Sequence, residues 1–227
     1  MQARGLLLNW FDIEPGKEAA FDAWHNREHV IERVGIPGFR RGRRFESIDV
    51  PPAKGHGYLI AYDADDVGVF ESVEYGRRLD NPTGWTRATV PFLRHVTRTA
   101  YEIAARQGAG SGGFLRTIRF KPGASQDASV IADGLADIAA DDALTSVLFG
   151  RPDTKATHFK DKTQEGAQTE TLSRTDYPWA IIVESCRPEG LDAATRSLEE
   201  LVSRHMPGTA LDCHSYQLVF ALGKGGG

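Results

Sequence analysis

Residues 21–45 read FDAWHNREHVIERVGIPGFRRGRRF. Taken at the helical period, residues 17–34 place Ala20, Phe21, Trp24, Ile31 and Val34 on one apolar stripe. Glu28 falls inside that stripe, and His25 and His29, four apart, stack along its flank. A carboxylate turned towards apolar neighbours must be paired, protonated or functional. Gly35-Ile36-Pro37-Gly38 ends the helix, because glycine accepts the C-terminal cap conformation and proline cannot continue the turn. A basic strand carrying Arg41, Arg43 and Arg44 follows. Helix, stop and strand form one αβ unit.

Working outward, residues 5–13 (GLLLNWFDI) form an apolar strand, and Glu14-Pro15-Gly16 turns the chain into the helix. After it come a strand at 43–50, a Pro-Pro loop at 51–57, and the strand YLIAY at 58–62. An acidic turn, a helix at 67–79, a break at Asn81-Pro82-Thr83-Gly84 with a shorter helical piece beyond it, and a strand at 97–104 complete a βαββαβ order. Residues 106–113 (RQGAGSGG) have the composition of a flexible linker. The order then repeats: strand 114–120, helix 128–140, strand 144–149, strand 179–184, helix 190–205, strand 212–222. Within the repeat, residues 151–178 are long and polar, and 158–172 read as an excursion or a mobile hairpin. The domain division expected is 1–106, a linker at 107–113, and a degenerate second unit at 114–223. The fold class is α+β: two tandem βαββαβ ferredoxin-like units whose antiparallel sheets pack as one α/β barrel.

Composition bounds the function. The 227 residues are 41% hydrophobic and 26% charged, ordinary for a globular protein, and the net charge of −4 argues against a nucleic-acid footprint. No apolar run approaches membrane-spanning length. Two cysteines, Cys186 and Cys213, do not make a disulfide scaffold and suit a reducing cytoplasm.

The run Trp24-x-x-x-Glu28-His29, the Pro37-Gly38-Phe39 stop, the Arg43-Arg44-Phe45 strand and YLIAYDAD at 58–65 resemble the dimeric α/β-barrel superfamily, and within it the EthD-like group. The resemblance covers roughly the first half; the second half matches by element order. It implies a barrel of two ferredoxin-like units, joined here by fusion, with a homodimer of fused units as the further assembly considered. Relatives so implied include cofactor-free isomerases such as muconolactone isomerase, polyketide cyclases, small monooxygenases and haem-binding members. A fold of this kind does not choose the function.

His29 is the leading candidate for acid–base work, since a neutral imidazole near neutral pH can take or give a proton and a carboxylate can tune it. Glu28 would assist it; its structural reading is an ion pair with Arg43 or Arg44. Trp24 and His25 would wall the binding site. Arg43 and Arg44 alternate faces, so one of them would hold a substrate carboxylate or enolate. His25-x-x-Glu28-His29 also spells an H-x-x-E-H zinc order, but no third ligand helix follows, and neither metal nor cofactor is expected. The second half offers His205, His214 and Cys213, with nothing to single one out. The expected function is cofactor-independent proton transfer (isomerase, cyclase or lyase type) on a small, partly apolar oxygenated metabolite. The rivals are a non-catalytic small-molecule binding or accessory protein and a haem-binding or oxygen-using monooxygenase.

Overall fold

The structure, a computed structural model, describes residues 2–49, 55–123, 127–169 and 177–224. Strand β1 (Gly5–Ile13) explains the architecture. Leu6, Leu8 and Trp10 face one way and Leu7, Phe11 and Ile13 the other, and all are buried. A strand covered on both faces reads as a continuous apolar run. One face looks into a barrel and the other lies beneath helices.

Seven further strands close that barrel: β2 (Phe39–Ser47), β3 (Tyr58–Ala64), β4 (Leu93–Gln107), β5 (Phe114–Phe120), β6 (Leu144–Asp153), β7 (Trp179–Ser185) and β8 (Asp212–Gly223). The order around it is β1-β3-β2-β8-β5-β7-β6-β4, with every pairing antiparallel. The two halves meet at two seams, β2 on β8 and β4 on β6. This α+β architecture, with its repeated element order, is consistent with two fused ferredoxin-like units. The interior is filled by Leu6, Leu8, Trp10, Phe45, Tyr101 and Tyr216 among others. It is a core, and any cavity must lie between sheet and helices.

The helices sit outside. In the first half they are α1 (Glu18–Trp24), a π turn (His25–His29) continuing into α2 (Val30–Val34), a 3₁₀ turn (Val67–Glu71), α3 (Val73–Asp80) and α4 (Gly84–Thr89). In the second they are α5 (Ser129–Ala139), α6 (Thr154–His158), a 3₁₀ turn (Phe159–Lys162), α7 (Gln164–Ala167) and α8 (Pro188–His205). The helix expected at 67–79 is two pieces because Ser72 caps α3, its side chain accepting from Tyr75 N. The second strand starts at Phe39, earlier than expected, and residue 50 of the expected span lies outside the described residues.

Two stretches expected to be slack make defined contacts. Residues 108–113 are held against β6 and β7: Gly110 N donates to Thr145 O and Gly112 N to Glu184 Oε2. A Cβ on Gly112 would sit 2.1 Å from Ser185 O, so glycine here permits close backbone approach. The polar excursion forms short helical pieces between Thr154 and Ala167, with Asp153 and Thr163 as N-caps for α6 and α7. It packs across the first half: Ala100 N donates to Thr157 Oγ1 (2.9 Å), and Arg98 Nη1 to Ala156 O (2.8 Å) and Thr157 O. Residues 170–172 of the expected hairpin lie outside the described residues.

Candidate functional site

The π turn falls on His25-Asn-Arg-Glu28-His29. A π turn carries one residue more than an α turn, so everything after it is rotated relative to a 3.6-residue count. This corrects the expected face. Phe21 and Trp24 are buried as expected, but Ala20 is exposed and Ile31 is 52% exposed. Val34 is buried as expected, and His25, His29, Val30 and Arg33 also point inward.

Glu28 leaves the stripe. It accepts from Thr83 Oγ1 (2.6 Å) and Thr86 Oγ1 (3.3 Å), and Trp24 Nε1 donates to Thr86 Oγ1 (3.1 Å). The carboxylate is therefore paired, but with α4 hydroxyls rather than the strand arginines. Arg43 lies inside the barrel on Glu184 (2.8 Å), with Asp63 at 3.7 Å. Arg44 lies over Phe21 and reaches Asp22 (3.0 Å) and Asn26 (3.1 Å). The two arginines do alternate faces, and neither lines the cavity described next. His25 is fully buried between Phe21 and Phe220, with neither ring nitrogen in a well-formed hydrogen bond among the described residues. Since His25, Glu28 and His29 each face different neighbours, the H-x-x-E-H spacing builds no common ligand sphere.

Of the expected residues, His29 and Trp24 meet at a cavity between the α1–α2 helix and the sheet β1-β3-β4. Their rings are 4.2 Å apart. Tyr62, Tyr75, Arg33 and Arg98 line the same space, and Lys160, Glu165 and Thr169 close it from the second half. Its volume is ≈ 50 Å³, room for a few waters or one small group unless the walls move.

The charges are unbalanced. Glu165 pairs with Arg33 and with Lys160 (3.1 Å), while Arg98 meets only backbone carbonyls among the described residues. Among the residues that line the cavity three cations therefore face one carboxylate, and Glu32 approaches Arg33 from outside it at 4.0 Å. Arg33 and Lys160 hold the Glu165 carboxyl well below the usual carboxylate range against the upward push of burial. His29 is held well below its ordinary value by burial first and by Arg33 second, so its imidazole is neutral. Several buried polar atoms are without a hydrogen-bond partner among the described residues: the donors Arg33 Nη1, Arg98 Nε and Nη2, with Tyr62 Oη and His29 Nδ1. Arg33 Nη1 is 4.0 Å from Glu32 Oε2, beyond hydrogen-bond reach. Sequence reasoning missed Arg33 because the π turn hid its phase. Lys160 and Glu165 carried no signal, since their stretch read as polar excursion. Arg98 had one: it alternates with the buried Val96 and Ala100 on β4.

No family model matches the sequence, and no curated protein does. Solved structures do. An anthrone oxidase-like protein superposes with a TM-score of 0.62 at 14% identity, covering 98% of this chain and 94% of that one. The fold is a ferredoxin-like α/β barrel. A proposed monooxygenase from Fusobacterium nucleatum subsp. nucleatum resembles this barrel equally, with a TM-score of 0.62 at 11% identity over 100% and 97% of the two chains. A haem-binding protein from Thermus thermophilus gives 0.57 at 9% identity over 97% and 92%. Such identities carry the fold and no more. Among the described residues, neither space between sheet and helices fits a haem. The cavity beside His29 is too small, and the matching space in the second half is filled by Ile118, Ile131, Leu135, Leu191 and Leu198, all fully buried. No helix among the described residues is long and apolar enough to cross a membrane.

Proposed function

We propose that this chain is a small-molecule enzyme that moves a proton on a compact, oxygenated, partly apolar metabolite, with His29 as the acid–base group and no cofactor. The observation that carries this reading is the set of unused guanidinium donors of Arg33 and Arg98 around the cavity that His29 lines. Buried donors without partners want acceptors, and a surplus of cations favours a carboxylate or an enolate. Trp24, Tyr62 and Tyr75 supply the apolar walls, which must move apart to seat the whole molecule, since the cavity of ≈ 50 Å³ takes only one small group as it stands. Glu28 acts behind His29, tying its helix to α4 through Thr83 and Thr86. Residues 1–106 supply the reacting groups, and 114–223 supply the scaffold and the cover over the cavity.

The same charges tune the base. Burial and Arg33 keep His29 unprotonated. A bound anion offsets the Arg33 charge, raising the imidazole's affinity for a proton at the moment a substrate offers one. The resulting enolate pairs with both guanidiniums. The EthD-like reading agrees, resting on Trp24, Glu28 and His29. A second reading is oxygen use, favoured by the neighbours named for anthrone oxidase-like and monooxygenase proteins; a deprotonated, electron-rich substrate is the species oxygen would meet. A non-catalytic binding protein is the third.

A panel of small enolisable and phenolic acids in D₂O separates these readings. NMR follows loss of the carbon-bound proton, and an electrode follows oxygen. Enzyme-dependent proton exchange that vanishes in His29→Ala, with the fold intact by circular dichroism, is expected. Oxygen consumption selects the second reading, and binding without exchange the third. Exchange unchanged in His29→Ala refutes the assignment.

A further inference from the structure

A second constellation lies at one rim of the barrel, away from the cavity. His56, Asp212 and His214 each offer one ligand atom, and those atoms all lie within 4.8 Å of one another. The two imidazoles stack at 4.0 Å between centroids and 12° between planes, so one ring must turn before both lone pairs can meet on one ion. His214 Nε2 is 2.8 Å from Asp212 Oδ1. We propose that this rim is a divalent transition-metal site, of the zinc, cobalt or nickel class, with His56, Asp212 and His214 as ligands.

The donor set comes first. Two imidazoles and one carboxylate are a borderline-soft set that suits these metals better than magnesium or calcium. Separation comes next. Ligands at about 2.0–2.1 Å from a metal stand roughly 2.9–3.4 Å from each other in octahedral or tetrahedral spheres. The Asp212–His214 pair at 2.8 Å is already close to that, and His56 must turn out of the stack to complete the set. His56 sits on a loop that can supply a small shift, yet the loop is anchored: Asp12 accepts from Gly55 N (2.7 Å) and Gly57 N (2.9 Å), one on each side of it.

The outer layer is built too. Arg119, buried and lying 4.4 Å over the Trp10 ring, donates to Asp212 Oδ2, the oxygen turned away from His214. A ligating carboxylate held by a donor on its other oxygen is the usual outer-sphere arrangement. The Arg119 charge lowers cation affinity, which favours a soft metal bound largely through nitrogen over a hard ion held by charge. His56 belongs to the first half, and Asp212 and His214 to β8. A bound metal would clasp the first-half loop to the last strand.

The test uses tag-free, chelator-treated full-length protein titrated with Zn²⁺ by calorimetry, with Co²⁺ as the spectroscopic probe. One-to-one binding is expected, together with cobalt d–d bands and a rise in melting temperature. His214→Ala and, independently, the loop variant His56→Ala are each expected to weaken binding at least ~10-fold while circular dichroism stays unchanged. His29→Ala is expected to bind metal normally, which separates this site from the cavity. Absence of saturable binding, or affinity unchanged in both rim variants, overturns the proposal.

Discussion

The first and second halves lay helices over the same kind of sheet, and they fill the space between in opposite ways. In the second half α5 buries only Ile131 and Leu135, and α8 adds Leu191, Leu198, Leu201 and Val202 over Ile118, Val147 and Ile181. In the first half the corresponding helix buries His25, His29 and Arg33 beside Phe21 and Trp24, and leaves a cavity. Burying an arginine and two histidines costs solvation that leucines would not. This contrast, aliphatic side chains closing the space in one half and titratable groups lining it in the other, is the ground on which we propose the first half as the working side. The second half nevertheless contributes, because α6, α7 and the 3₁₀ turn between them cross over, the turn bringing Lys160 and α7 bringing Glu165 to the first half's cavity.

The largest effect tests that crossing. Glu165→Ala leaves Arg33 buried without its carboxylate, and a loss of about 3–5 kcal/mol is expected in urea unfolding. A thermally silent variant would mean that α7 does not cover the first half in solution.

Acid sharpens the contrast next. Burial and Arg44 hold His25 down at about 3, and His29 is also held well below its ordinary value. Both are neutral when folded and gain protons on unfolding. Their contribution is complete above the unfolded value of about 6.5 and is lost as pH falls towards the folded values, so going to pH 5 should remove roughly 2 kcal/mol for His25, with a further loss in the same direction from His29. The Glu165 carboxylate adds stability that is present above about 4.3 and lost below it, towards its depressed folded value. His25→Leu should flatten the slope between about pH 6.5 and pH 5 by one proton. A slope equal to that of the wild-type chain would place His25 in water.

Leu135→Ala, on the aliphatic side, should cost about 3 kcal/mol and leave ligand binding at the cavity untouched. Altered binding would show the two halves are not divided as described. Smallest of all, Glu28→Gln keeps the shape of the α4 contact and should cost about 1 kcal/mol through its weakened threonine bonds. A loss of turnover far beyond that would move Glu28 from tether to chemistry.

The barrel was legible because its strands are buried on both faces and their order repeats, with Glu14-Pro15-Gly16 and Lys121-Pro122-Gly123 turning each first strand. His29 and Trp24 were legible from residue type and spacing. The helix face after Trp24 was not, since a periodicity of 3.6 cannot register the extra residue of the π turn; that is why Ile31 was placed inside and Arg33 overlooked. The cover was invisible for a different reason. Arg33 and Glu165 are 132 residues apart, and nothing local in a polar stretch says which surface it will lie on.

Locating the ligand decides the matter most directly. The ¹⁵N-labelled chain is titrated with whichever acid exchanges its proton in the D₂O screen, and backbone shifts are mapped. The expected result is a cluster of perturbations at Trp24, His29, Arg33, Arg98 and Glu165, with α5 and α8 still. Perturbations centred on Ile131, Leu135 and Leu198 instead would contradict the assignment of the first half as the working side.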